Sequence, residues 1–126
     1  MRILTIIETA YRGTIEEQDD TVVWTAHAMR KAGQDIAILL RGNAVCHATR
    51  SQDASGLVFG DWTQSNPVDL AGDLQKAMAA GIDVYVVKDD VGARGLEGSE
   101  LIDGLKHIAE ADIASLCDEF ETVWHW

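Results

Sequence analysis

The chain has 126 residues, 47% of them hydrophobic, which fits one domain over residues 1–126. At this size folding hides about two-thirds of the unfolded surface, enough for a core without disulfide or metal staples. Ten Lys and Arg stand against 21 Asp and Glu, a formal charge of -11 that repels phosphate backbones and anionic headgroups and argues against nucleic-acid and membrane partners.

No apolar run approaches the roughly 18–20 residues of a membrane span, and Glu8 interrupts the opening run too early for a signal peptide, so a cytoplasmic location is expected. Arg2 to Ile7 reads as a strand, apolar on both faces. After the acids Glu16, Glu17, Asp19 and Asp20, Thr21 opens a helical pattern of Val22, Ala26 and Met29 that Gly33 stops. Asp35 to Leu40 repeats the strand pattern. Residues 49–65 are polar and contain glycine, with Leu57-Val58-Phe59 the single apolar run, and read as a long loop or a short edge strand. Asn66 as N-cap and Pro67 at the first position open a helix whose stripe Leu70, Leu74, Ala77 and Met78 ends at Gly81.

Asp83 to Val87 is a third strand. Leu101, Ile102, Leu105, Ile108 and Ala109, with Ser99 as cap, predict another helix, and Ile113, Leu116, Cys117 and Phe120 a shorter one. Thr122 to Trp126 closes the chain as a strand. Strand and helix alternation predicts a three-layer α/β fold: an open, mostly parallel sheet of about five strands with helices on both faces, flavodoxin- or Rossmann-like.

Cys46 and Cys117 form no CxxC pair, and His27, His47, His107 and His125 have no HExxH spacing, so no metal or other cofactor is expected. No GxGxxG or GxxxxGK[ST] cradle is present, which leaves a nucleotide unsupported. From Asp89 to Glu121 ten acids face two bases, which reads as a solvated acidic face.

Ligands of an open α/β sheet collect beyond the carboxyl ends of its strands. The candidate residues are therefore Glu8, Tyr11 and Arg12 after the first strand, Arg41 and Asn43 after the second, and Lys88, Asp89, Asp90 and Arg94 after the third. Arg41, Asn43, Lys88 and Tyr11 would suit a small anionic ligand. Asp89 and Asp90 more often cap a helix than act as a catalytic pair. Cys46 would lie near a helix amino end with Arg41, His47 and Arg50 close in sequence, which stabilises thiolate, although a lone cysteine is more often a small buried hydrophobe. Trp24, Trp62, Trp124 and Trp126 read first as burial or subunit contact.

The run Val84-Tyr85-Val86-Val87-Lys88-Asp89-Asp90-Val91-Gly92-Ala93-Arg94-Gly95 resembles the DsrE/DsrF-like (DsrEFH, TusBCD) sulfur-relay family, whose members often show V-x-V-C-x-x-C-x-x-x-R-G there. The likeness extends to Ile3–Ile7, Tyr11-Arg12-Gly13-Thr14, Leu40 to Val45 and Ala114 to Trp126. It implies a compact parallel α/β fold assembled as trimers or hexamers, with sulfur carried as a persulfide on the first motif cysteine. Here Val87 occupies that position and Asp90 the second. The resemblance then implies an accessory subunit without the carrier thiol, acting as a homo-oligomer or beside DsrE-like subunits and a sulfur-carrier protein. Two other expectations remain: a sulfurtransferase using Cys46, or a small-anion binder.

Overall fold

The computed structural model describes residues 1–9 and 21–126. The elements run β1 Arg2–Ile7, α1 Thr21–Lys31, β2 Asp35–Leu40, a 3-10 segment Gly42–Ala48, β3 Val58–Phe59, β4 Trp62–Thr63, α2 Leu70–Ala79, β5 Val84–Val87 and α3 Lys88–Ala93. A second 3-10 segment Gly98–Glu100, β6 Lys106–Ile108, a third 3-10 turn Glu110–Asp112, α4 Ile113–Asp118 and β7 Thr122–His125 complete them. Five strands form one sheet in the order β6-β5-β2-β1-β7, and every neighbouring pair is parallel. The α/β fold expected from the alternation is the fold observed.

A parallel sheet needs cover on both faces, and alternate strand residues supply the two apolar surfaces. Ile3, Ile7, Ile36, Ile38 and Leu40 pack with Val23 and Ala26 of α1 and Leu74 and Ala77 of α2. Leu4, Ile6, Ala37 and Leu39 pack with Val87, with Leu116 of α4 and with Phe120. Strand order explains this division. Right-handed crossovers stepping from β1 to β2, β5 and β6 in one direction put their connections on one face, and the return to β7 beyond β1 reverses direction and puts α4 on the other.

Both longer helices stop at the expected glycines. Gln34 N–H donates to Met29 O and Ile82 N–H to Ala77 O, while Gly33 and Gly81 donate to Arg30 O and Met78 O, the paired bonds of a Schellman ending. The amino end of α2 differs from expectation: Asp69, not Asn66, is the cap, its Oδ1 accepting from Gly72 N–H at 3.0 Å. Within residues 49–65, β3 and β4 form a separate antiparallel hairpin rather than an edge of the main sheet.

The stripe from Leu101 to Ala109 does not form the expected helix. Leu101 bridges to Thr49, Ile102 N–H donates to Ala48 O at 2.9 Å, and both side chains are buried in the larger cluster. Gly104 then takes φ +93, and a Cβ there would meet Met78 Sδ at 3.1 Å; the left-handed turn breaks any helix and suits glycine alone. Lys106–Ile108 continues as an edge strand on β5. Ser99 caps no α-helix; it lies inside the short 3-10 turn, where Glu97 N–H donates to Glu100 Oε2 at 2.6 Å.

Lys106 helps hold that edge. Its Nζ lies 2.9 Å from Asp83 Oδ2 and 5.5 Å from the Tyr85 ring centroid. The hydrogen bond to Asp83 raises the lysine above its usual value of 10.5. A raised folded-state pKa adds stability below the unfolded lysine pKa and loses it as pH climbs through the folded value. Both partners are about half exposed, so the pair contributes on the order of 0.2–1 kcal/mol. Lys106→Met is expected to lower the urea midpoint slightly at neutral pH. The gap to the parent chain should close as both are titrated above pH 10.5; a constant gap would assign the loss to packing instead.

Candidate functional site

β1 stands between β2 and β7 in the sheet, and the chain leaves it toward β2 and returns last to β7. That reversal is a topological switch point, where the connections diverge and leave a crevice at the carboxyl ends. Glu8 follows β1 and His125 ends β7, and Glu8 Oε2 lies 2.5 Å from His125 Nε2. The other oxygen of Glu8 faces Arg41 Nε at 3.6 Å, and Arg41 Nη2 lies 4.0 Å from Glu110 Oε1. Among the described residues Arg41 Nε is buried without a hydrogen bond, so this longer ion pair is its main polar contact.

A second set of bonds joins the ends of β2 and β5. Gly42 N–H donates to Asp90 Oδ2 at 2.7 Å. Gly42 has φ +55, and a Cβ would meet Glu8 Cγ at 3.1 Å and Glu8 O at 3.3 Å, so only glycine lets this turn lie against the end of β1. Arg94 donates from Nε and Nη2 to Asn43 Oδ1 at 3.0 and 2.7 Å and from Nη1 to Asp90 O at 3.1 Å. Glu110 N–H donates to Asp89 Oδ1 at 2.7 Å.

Of the residues expected from sequence, the structure brings together Arg41, Asn43, Asp90 and Arg94. Lys88 is exposed at the first position of α3. Tyr11 and Arg12 lie outside the described residues. Cys46 lies in the 3-10 segment, not at the start of an α-helix, and is exposed rather than a buried hydrophobe. Cys117 is half-buried against the smaller apolar cluster. Trp124 packs on the larger cluster, whereas Trp24, Trp62 and Trp126 are exposed rather than packed in the chain's own core. Trp126 is nonetheless anchored: its N–H donates to Ile6 O, and its Nε1 donates to Thr5 Oγ1 at 2.9 Å.

Glu110 and His125 join the crevice without having been singled out for it. Only the strand order puts them beside Glu8 and Arg41. The resulting charge also differs from the expected anion-attracting pocket. Among the described residues the guanidinium groups of Arg41 and Arg94 already face oxygen atoms, and the carboxylates of Glu8, Asp89, Asp90 and Glu110 outnumber these two arginines and Lys88. Among the described residues the crevice is a braced polar network in which Arg41 and Arg94 are both engaged.

The chain is an α/β protein with an all-parallel five-stranded sheet whose polar residues from several strand ends gather at its switch point, the place where open sheets of this kind bind their ligands. No helix among the described residues is long and apolar enough to cross a membrane. The DsrE/DsrF-like family model matches residues 1–124, and the chain belongs to that family, which is generally associated with sulfur relay. The crystal structure of the YchN protein from E. coli is similar over 99% of this chain and 98% of that one, with a TM-score of 0.76 at 20% identity. A protein of unknown function from Methanobacterium thermoautotrophicum, MTH1491, matches over 98% and 97% with a TM-score of 0.60 at 12% identity. These likenesses carry the fold. No curated protein matches the chain.

Proposed function

We propose that this protein is an accessory member of its family, an oligomeric docking or scaffold subunit for sulfur transfer in the cytoplasm rather than a sulfur carrier. The reading rests on Val87. At the end of β5, where the family motif has its first cysteine, stands a fully buried valine that packs among Leu4, Ile6, Ala37 and Leu39 and has no atom able to bond sulfane sulfur. Asp90, at the second motif position, holds Gly42 N–H and so braces the loop. Arg94, matching the motif arginine, braces it further through Asn43.

One observation favours a second reading. Cys46 is exposed, which is the accessibility that a relocated carrier thiol needs. Mass spectrometry after incubation with a persulfide donor separates the two. The accessory reading expects no stoichiometric sulfur on the chain. Stoichiometric addition that Cys46→Ser abolishes would overturn it in favour of a sulfurtransferase, and addition that survives Cys46→Ser would remove both.

A further inference from the structure

Two exposed apolar surfaces lie beside the crevice network, one of them sharing His125 with it. One is the β3–β4 hairpin, where Leu57, Val58, Phe59 and Trp62 all face solvent, Val58 at 65% and Phe59 at 57%. Its rings of Phe59 and Trp62 stack with centroids 5.9 Å apart, which makes a preformed knob. The other is an open groove of about 520 Å³ along the free edge of β7, lined by Thr25, Met29, Val123, Trp124, His125 and Trp126. Trp126 is 55% exposed there, and Trp24, next to groove-lining Thr25, is 60% exposed.

Monomers seldom expose apolar patches larger than a few hundred Å². Since a fully buried aromatic removes roughly 150–250 Å² from water, the exposed fractions of the two patches together present roughly 700 Å² of apolar surface. A standard interface buries about 1,600 Å², a little over half of it apolar, so the pair comes close to supplying one complete contact. Their shapes are complementary as well: one projects and the other is hollow. Among the described residues no acidic side chain lines the groove, although the chain's formal charge is -11.

We infer that the hairpin of one copy seats in the β7 groove of the next, a head-to-tail contact that repeats around a ring. The surfaces differ, so the contact is heterologous and must close by rotation or grow. His125 lines the groove and also pairs with Glu8, so each crevice is completed on one side by the neighbouring copy's hairpin. This deepens the oligomer reading above and rests on it.

Complementation between two interface variants tests it by light scattering. Phe59→Asp removes the knob, and Val123→Asp removes the groove; Val58→Asp and Thr25→Glu are second choices should either chain lose its circular dichroism spectrum. The unmodified chain is expected to run well above 13.7 kDa. Each variant alone should fall to the monomer mass, and an equimolar mixture should recover a species of twice that mass through the one intact contact. An unmodified chain that stays monomeric overturns both the contact and the oligomer reading. An oligomer whose variants stay assembled, or whose mixture remains monomeric, overturns the hairpin contact alone.

Discussion

Leu39→Ala is expected to lower the free energy of unfolding by about 2–5 kcal/mol, the range for emptying a filled leucine site. Leu39 is fully buried in β2, with Ile6 on one side and Tyr85 on the other in register. Its side chain belongs to the smaller cluster, where α4 and Phe120 are the cover. A helix of six residues has no stability of its own and persists through the apolar face it buries. The lost methyl groups therefore loosen α4 as well as the sheet. Urea unfolding should show a lower midpoint with an unchanged slope, and amide exchange should accelerate first across residues 113–118. A loss below 1 kcal/mol would mean that the second layer contributes little to the fold.

Asp90→Ala is expected to cost about 1–3 kcal/mol, because the Gly42 N–H loses a charged acceptor and is left without a replacement. The same change removes the carboxylate 3.9 Å from Arg94 Nη1 and frees the guanidinium that holds Asn43. Asp90→Asn retains an acceptor oxygen and should recover most of the loss. Thermal unfolding of the two variants distinguishes a brace from a bystander: equal midpoints for Ala and Asn would show that the Gly42 bond does not matter. Asp90→Cys should behave like the alanine variant because a thiol is a weak acceptor.

Both variants touch features of unequal visibility in the sequence. β1, β2 and β5 are legible because their residues are apolar on both faces, a pattern that only a doubly covered strand needs. β6 is not. Its three residues, Lys106 to Ile108, follow Leu101, Ile102 and Leu105 at helical intervals, and the local pattern favours the wrong element. Gly104 was the available signal against it, since its left-handed turn falls in the middle of the supposed helix. The pairing with β5 then supplies backbone hydrogen bonds that a periodicity argument cannot count.

The crevice divides in the same manner. Arg41, Asn43, Asp90 and Arg94 follow strands, so the rule that ligand sites gather at carboxyl ends finds them. Glu110 and His125 are separated from Glu8 by more than a hundred residues of chain; Glu110 enters through the placement of β6 beside β5 and His125 through that of β7 beside β1. The exposed hairpin was equally hidden, since Leu57-Val58-Phe59 looks identical in sequence whether it is packed inward or turned outward.

By itself the order of amino acids determined that this chain builds a helix-covered parallel sheet and carries valine at the end of its third strand, because hydrophobic alternation and side-chain chemistry are local properties. Tertiary structure alone decided that Arg41 faces the Glu8 carboxylate and Arg94 the Asn43 amide, that Cys46 faces solvent, and that an aromatic knob and an aromatic groove are both exposed. Those outcomes depend on which distant segments meet, and that follows from burying the whole set of apolar faces at once.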